Sequence, residues 1–334
     1  MSKKRVLTGY RPTGRLTLGH WFGNLMNMRQ MQDTYEAYYF VADWHALTSD
    51  WQDTSRIRQF TEEMVLDWIA AGIDPGKATI YRQSDVPEVA ELTLYLSMVT
   101  PMSWLERVPS YKEQREQISE KDLGNVGFFL YPLMQAADIV IVRGEAVPVG
   151  EDQAPHLELT REIVRRFNAT YGELLVEPAS VIPESGARVP GTDGRKMSKS
   201  YGNAIYLSET DEETTQKVMG MITDPARRLK TDPGNPDICP LQQIHKLVAR
   251  DSETVAEWDR CCRSAQCGCV AHKRQMAADL TAYLSEFRAR RAELNAHPGY
   301  AWEVLADGAA RVRPVVVDLM GEVREAMRLK APVG

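Results

Sequence analysis

Arg5-Val6-Leu7-Thr8-Gly9-Tyr10-Arg11-Pro12-Thr13-Gly14-Arg15-Leu16-Thr17-Leu18-Gly19-His20 passes from a short apolar run through a Gly/Pro turn into a helix start near Gly19 or His20. Strand, loop and helix start in that order open an α/β nucleotide-binding unit, because a helix N-terminus offers unpaired N–H groups to phosphate. Two more strand-like runs follow at 37–43 and 78–83, and the segment 55–71 between them has helical spacing. Strands alternating with helices predict a parallel sheet with right-handed crossovers. Val147-Pro148-Val149-Gly150 is a further strand end, and His156, Leu159, Ile163 and Phe167 mark the helix after it. From Glu209 onward the strand signals vanish, and amphipathic helices are expected over 211–223, 241–249, 272–295 and 300–329. The expected fold is α/β. A Rossmann-like parallel-sheet domain occupies 1–205 and a mostly helical domain 206–334, with the last helix a candidate to pack back on the first domain.

Composition narrows the class. Of 334 residues, 43% are hydrophobic and 26% charged, as in an ordinary soluble enzyme. No apolar run approaches the roughly 20 residues of a membrane span, and the start Met1-Ser2-Lys3-Lys4-Arg5 lacks a signal-peptide pattern. A cytoplasmic protein without a membrane partner is expected. The formal charge of −6 argues against a generic nucleic-acid coat but leaves room for a local basic face. Five cysteines in a cytosolic chain point away from disulfides and toward metal or cluster ligation.

A second motif, Lys196-Met197-Ser198-Lys199-Ser200, follows the Gly/Pro-containing run Arg188-Val189-Pro190-Gly191-Thr192-Asp193-Gly194 and is read as a loop. The chain has no Gly-x-x-x-x-Gly-Lys-[Ser/Thr], and the first loop lacks the second glycine of Gly-x-Gly-x-x-Gly. What remains are two loop lysines suited to neutralising pyrophosphate as it leaves an α-phosphate, electrostatic catalysis that needs no covalent group. In the first loop, Arg11-Pro12-Thr13-Gly14 lets backbone approach phosphate, Gly19 permits close packing, and His20 can donate from the helix start. Tyr131, Gln135 and Asp138 fall at i, i+4 and i+7, one face of a helix. A carboxylate on so apolar a helix needs a partner, so Asp138 is either a satisfied structural group or a ligand-reading one.

Thr17-Leu18-Gly19-His20 and Lys196-Met197-Ser198-Lys199-Ser200 resemble the two signatures of class I aminoacyl-tRNA synthetases, and their order and separation fit the tryptophanyl and tyrosyl subgroup. Thr17 departs from the family's His-Ile-Gly-His, a variation also seen among bacterial tryptophanyl enzymes. The resemblance covers nearly the whole chain. It implies an ATP-dependent, Mg²⁺-assisted ligase that makes an aminoacyl-adenylate and transfers the amino acid to tRNA, in a homodimer. It further implies that Arg11, Pro12, Thr13, Gly19, His20, Gly150, Glu151, Asp152, Val189, Lys196, Met197, Ser198, Lys199 and Ser200 bind ATP. Lys112 matches a family lysine that reaches the phosphates. Thr17, His20, Lys112, Lys196, Ser198 and Lys199 are the catalytic candidates, while Tyr131, Gln135, Asp138 and Gln153 hold the amino acid. The runs 136–139, 147–153 and 218–224 resemble the tryptophanyl pattern more closely, which implies L-tryptophan and tRNA(Trp). A tyrosyl enzyme and a paralogue kept as an RNA- or protein-binding partner are the alternatives.

Cys239, Cys262 and Cys269 have a spacing that resembles the four-cysteine pattern of a [4Fe–4S] cluster in some bacterial tryptophanyl enzymes. His272 stands where the fourth cysteine would be. Cys261 or Cys267 could shift in as the fourth thiolate, or His272 could ligate through a ring nitrogen; zinc and an empty thiol site are the other readings. Arg260, Arg263, Lys273, Arg274, Arg288, Arg290 and Arg291 cluster in the helical half, a candidate face for an anticodon stem.

Overall fold

A computed structural model of the chain describes residues 3–108, 124–150, 154–181 and 189–330. Five strands form one parallel sheet in the order β3-β2-β1-β4-β5: β1 (Arg5–Tyr10), β2 (Glu36–Val41), β3 (Ala78–Arg82), β4 (Ala146–Pro148) and β5 (Ala179–Val181). β2 is buried along almost its whole length, as a strand covered on both faces must be. The chain leaves β1 for one edge and returns beside it as β4, so the strand order reverses between β1 and β4. In open α/β sheets ligands bind outside the carboxyl ends of the strands at that reversal.

After β1 come α1 (Leu18–His20), a π-turn (Trp21–Leu25) and α2 (Met26–Thr34). α3 (Asp43–Asp50) and α4 (Ile57–Ala70) link β2 to β3. α5 (Glu88–Val99), α6 (Met102–Glu106) and α7 (Val126–Ile141) precede β4, and α8 (Ala154–Tyr171) joins it to β5. The rest is helical: α9 (Asp211–Gly220), α10 (Pro240–Val248), α11 (Ser252–Arg263), α12 (Cys269–Asn295) and α13 (Tyr300–Ala326). The strand expected over 37–43 ends at Val41. Asp43 instead opens α3, its carboxylate accepting from the backbone N–H of Trp44 and Ser84, both at 3.1 Å.

Two apolar clusters form the core. One packs Leu18, Trp21 and Met28 with Trp68, Leu241, Met276 and Leu284; the other packs Leu92, Leu133, Ala137 and Ile163 with Val312 and Leu319. The first joins side chains from before and after residue 205. A buried ion pair, Arg291 Nε to Asp67 Oδ1 at 2.8 Å, fastens α12 to α4. Arg288 spans from α12 to Leu207 O (3.2 Å) and Thr214 Oγ1 (2.6 Å) and pairs with Asp211. These two arginines therefore bind protein, and the basic face expected from the sequence is smaller than its count of cations.

α13 runs back to the edge strand β3 and contributes to both apolar clusters. A parallel edge strand needs such cover, and Arg311 Nη2 caps the Ala78 carbonyl at 3.0 Å. A Cβ on Gly308 would lie 1.7 Å from the Ile80 carbonyl oxygen. Gly308→Ala should therefore force helix and strand apart and destabilise the fold by about 3 kcal/mol. Urea denaturation would show a lower midpoint, and an unchanged midpoint would mean that α13 does not seat here.

Candidate active site

The two signature loops meet beyond the carboxyl end of β1. Leu18 N donates to Ile205 O at 2.9 Å and Leu207 N to Leu16 O at 3.0 Å, so 16–18 pairs with 205–207. This short ribbon carries the segment 196–200 across the start of α1. Lys199 Nζ donates to the Gly14 carbonyl at 3.1 Å. Burial and the nearby Arg11 guanidinium push the Lys199 ammonium down to about 8. A cation held this way, short of counter-charge, is built to receive an anion.

His20 is set by Thr17. Thr17 caps α1, and both its backbone N–H (3.2 Å) and its Oγ1 (2.7 Å) face His20 Nδ1. With Nδ1 accepting there, the neutral ring carries its proton on Nε2 and can donate it outward. Burial and the charge of Lys199 push His20 down to about 3, so the ring is neutral at physiological pH. Thr17 is 3% exposed, and its hydroxyl is occupied in capping and orienting His20. Thr17, a catalytic candidate, faces His20 through its hydroxyl.

Asn203, which the sequence reading passed over, fastens the lysine loop. It is 2% exposed. Its Oδ1 accepts from Ser198 N at 2.8 Å, and its Nδ2 donates to Asp193 Oδ1 (2.7 Å) and Lys196 O (3.2 Å). Gly191 has no room for a side chain, since its Cβ would lie 2.2 Å from Asn203 Nδ2. Asn203→Ala should lower the rate of the reaction that the two lysines serve about tenfold, because it frees the loop without removing a charge. Stopped-flow tryptophan fluorescence on mixing with substrates would read that rate; an unchanged rate would show that Asn203 does not position the lysines.

The remaining candidates divide by burial. Val189 and Met197 lie in the core at 3% and 8% exposure, Met197 against Gly19, so their side chains shape the loop. Pro12 is buried beneath the first loop, whereas Arg11, Thr13, Lys196 and Ser200 are exposed. Ser198 Oγ and Ser200 Oγ share a hydrogen bond of 2.8 Å. Gly150 is exposed just beyond β4. Lys112, Glu151, Asp152 and Gln153 lie outside the described residues.

α7 brings Tyr131, Gln135 and Asp138 to one face, as their spacing predicts. Tyr131 and Gln135 are half-buried, with the Tyr131 ring 5.5 Å from that of His156. Asp138 is 2% exposed and held from two other strands' ends. His45 Nε2 donates to Oδ2 at 2.8 Å, and Gln83 Nε2 donates to Oδ1 and Oδ2 at 2.9 and 3.0 Å. Gln83 Oε1 accepts from the Trp44 and His45 N–H groups at 3.1 and 3.4 Å, which fixes its amide orientation. Burial pushes the Asp138 carboxyl up, opposed by His45 and Gln83. A carboxylate has about four lone-pair directions; three contacts leave it able to accept one more N–H. His45 and Gln83 follow the carboxyl ends of β2 and β3, and that position is the signal by which sequence could have found them.

A second cavity lies in the helical half. Cys239, Cys262, Cys267, Cys269 and His272 line it with Arg227 and Asp224. A disulfide joins Cys261 to Cys267. This corrects the expectation of five free thiols and removes Cys261 and Cys267 as thiolate ligands, since both sulfurs are already bonded. Cys239, Cys262 and Cys269 are free, and Arg227 Nη1 lies 3.6 and 3.8 Å from the sulfurs of Cys262 and Cys269. Among the described residues, no group of three or more His, Cys, Asp or Glu is spaced to hold a single metal ion. No helix among them is long and apolar enough to cross a membrane.

The family model for class I tRNA synthetases of the W and Y group matches residues 2–285. A tryptophan–tRNA ligase of Thermotoga maritima is 44% identical, with 97% of this chain and 99% of that protein covered. One of Aquifex aeolicus is 39% identical over 97% of this chain and 100% of that protein. Among solved structures, tryptophanyl-tRNA synthetase from Campylobacter jejuni complexed with ADP and tryptophan superposes with a TM-score of 0.87 at 34% identity, over 97% of this chain and 99% of that one.

Proposed function

Because the chain belongs to the class I tRNA synthetases of the tryptophan and tyrosine group, we propose that it is a tryptophan–tRNA ligase. ATP enters as its magnesium complex. An oxygen of the tryptophan carboxylate attacks the α-phosphorus, the bond to the bridging oxygen breaks, and pyrophosphate leaves with that electron pair. A hydroxyl of the terminal tRNA ribose then attacks the adenylate carbonyl, and AMP departs. Neither step needs a covalent enzyme intermediate; alignment and charge neutralisation carry the rate.

The observation that carries this reading is the Asp138 carboxylate, buried and pre-oriented by His45 and Gln83. An ionised carboxylate can only accept, so it takes a side-chain N–H or O–H, and the likeness to tryptophan–tRNA ligases makes that donor the indole N–H. Lys199, Lys196 and the Nε2–H of His20 serve the phosphates, with Arg11 and Thr13 beside them. By resemblance to the family, Lys112, Gly150, Glu151 and Asp152 also serve ATP, and Gln153, Tyr131 and Gln135 serve the substrate ammonium. The full chain should esterify tryptophan, and not tyrosine, to a tRNA(Trp) transcript in the presence of ATP, read by acid gel electrophoresis. Failure to charge with tryptophan would refute the reading, and charging with tyrosine would favour the tyrosyl alternative.

The helical part beyond 205 serves the anticodon in this reading, with Arg260, Arg274 and Arg290 still exposed to meet phosphate. Family members are typically homodimers. Leu94, Met98, Met102 and Val126 are 55%, 66%, 68% and 71% exposed on neighbouring elements, which suits burial against a second copy. The enzyme acts in the cytoplasm, where ATP and tRNA are at hand.

The helical cavity fits a [4Fe–4S] cluster by the chemistry of its donors. Three free cysteines and a histidine face one space, and an arginine donates to two of the sulfurs. Arg227 Nε is buried without a hydrogen-bond partner, and a Cβ on Gly234 would lie 2.5 Å from Cys262 Sγ. Thiolates stabilised by N–H donors are the usual surroundings of such a cluster, and a cluster spaces its ligands more widely than a single ion does. Cys239, Cys262 and Cys269 would hold it, and when bound it would cross-link α10, α11 and α12.

A further inference from the structure

His272 stands one helical turn after Cys269 at the start of α12, so both side chains share a face. It is 6% exposed and lines the cysteine cavity. The Trp258 indole stacks on its ring, 4.6 Å between centroids with planes 6° apart, which fixes the ring plane. Its Nε2 lies 2.9 Å from His245 Nδ1, and His245 Nε2 lies 2.8 Å from Asp279 Oδ2. Asp279 Oδ1 accepts from Gln275 Nε2 at 3.1 Å, which orients the carboxylate.

With both rings neutral, this buried chain fixes where the protons sit. The Asp279 carboxylate can only accept, so His245 carries its hydrogen on Nε2. With one N–H per neutral ring, His245 Nδ1 then accepts, and His272 must donate from Nε2. The nitrogen left on His272 is Nδ1, with its lone pair free. A carboxylate that fixes a histidine tautomer through a hydrogen-bond chain is the usual second layer of a metal-binding imidazole.

We propose that His272 is the fourth ligand of the cysteine site, offering its Nδ1 lone pair under the direction of His245 and Asp279. The inference rests on the cluster reading above. The ligand set is then three thiolates and one neutral imidazole, with one negative charge fewer than four thiolates. Replacing thiolate by imidazole raises the reduction potential of an iron–sulfur centre.

The test uses the full-length chain purified without oxygen, as wild type and as His272→Cys, with iron and acid-labile sulfide quantified. Pyrophosphate exchange serves as the check on folding, because His272 lies outside the adenylate site. In the reduced wild type, pulsed EPR should show a nitrogen directly coupled to the cluster, and histidine labelled with nitrogen-15 should change that coupling. In His272→Cys the coupling should vanish, the iron should stay, and the potential should shift downward. A wild-type cluster without nitrogen coupling, with the same potential in His272→Cys, overturns the ligand assignment and leaves the cluster reading standing. An active wild type without iron overturns both.

Discussion

Replacing Lys199 by alanine is expected to lower tryptophan-dependent pyrophosphate exchange by about 10²–10³-fold, the usual effect of deleting one charged group aimed at a transition state. Lys199 is the half-buried cation at the junction of the two loops, and its ammonium already rests on the Gly14 carbonyl. Lys196→Ala, at an exposed position, should cost less, and the double variant should lose the most. The fall should appear in kcat, because the lysines act on the charge that develops as pyrophosphate departs. The pH dependence gives an independent reading. Burial and Arg11 push Lys199 down to about 8, so the free enzyme holds it charged at pH 7 and loses the charge as pH rises past that value. The profile of kcat/KM for ATP should therefore fall on its alkaline side near pH 8. Lys199→Arg stays charged throughout and should move that limb upward. An alkaline limb that ignores the substitution would assign it to another group.

Asp138→Asn is expected to lower kcat/KM for tryptophan by about 10³-fold, from an isosteric change. Asp138 accepts from His45 Nε2 and from Gln83 Nε2. An amide in its place directs an NH₂ at two donors, so one contact is lost and a buried polar group is stranded. The indole N–H would meet a broken acceptor as well. A site that hydrogen-bonds its substrate loses discrimination steeply when that bond is removed. His45→Ala should give a smaller loss through KM, since it leaves the carboxylate in place and held by Gln83 alone. Thermal unfolding of each variant separates recognition from stability: a Tm several degrees below wild type with an unchanged kcat/KM would make Asp138 a structural carboxylate.

The first three strands were legible because they are apolar runs separated by helix-length segments, whereas the strand order, with its reversal between β1 and β4, was read only from the structure. The three-residue β5, two of its residues exposed, has no such signal. α11 escaped as well: none of its side chains is fully buried, and its apolar stripe of Val255, Trp258 and Cys262 is short. The two signature loops carried their own chemistry in their residue types. Asn203, His45 and Gln83 did not, because each is an ordinary polar residue whose role exists only through what it reaches, the lysine loop for Asn203 and Asp138 for the other two. The same holds for His272. In sequence it is a substitution in a cysteine pattern, and only the packing of α10 against α12 reveals the chain to Asp279. Long-range pairing also explains why Arg288 and Arg291 read as surface charge and proved to be internal ties.

The central claim, that these loops and Asp138 form one site activating one amino acid, is tested most directly by ATP–pyrophosphate exchange with each standard amino acid in turn. The account predicts exchange with tryptophan, little with tyrosine or phenylalanine, and loss of the tryptophan signal in Lys199→Ala. Equal exchange with tyrosine, or tryptophan exchange that survives in Lys199→Ala, would contradict it.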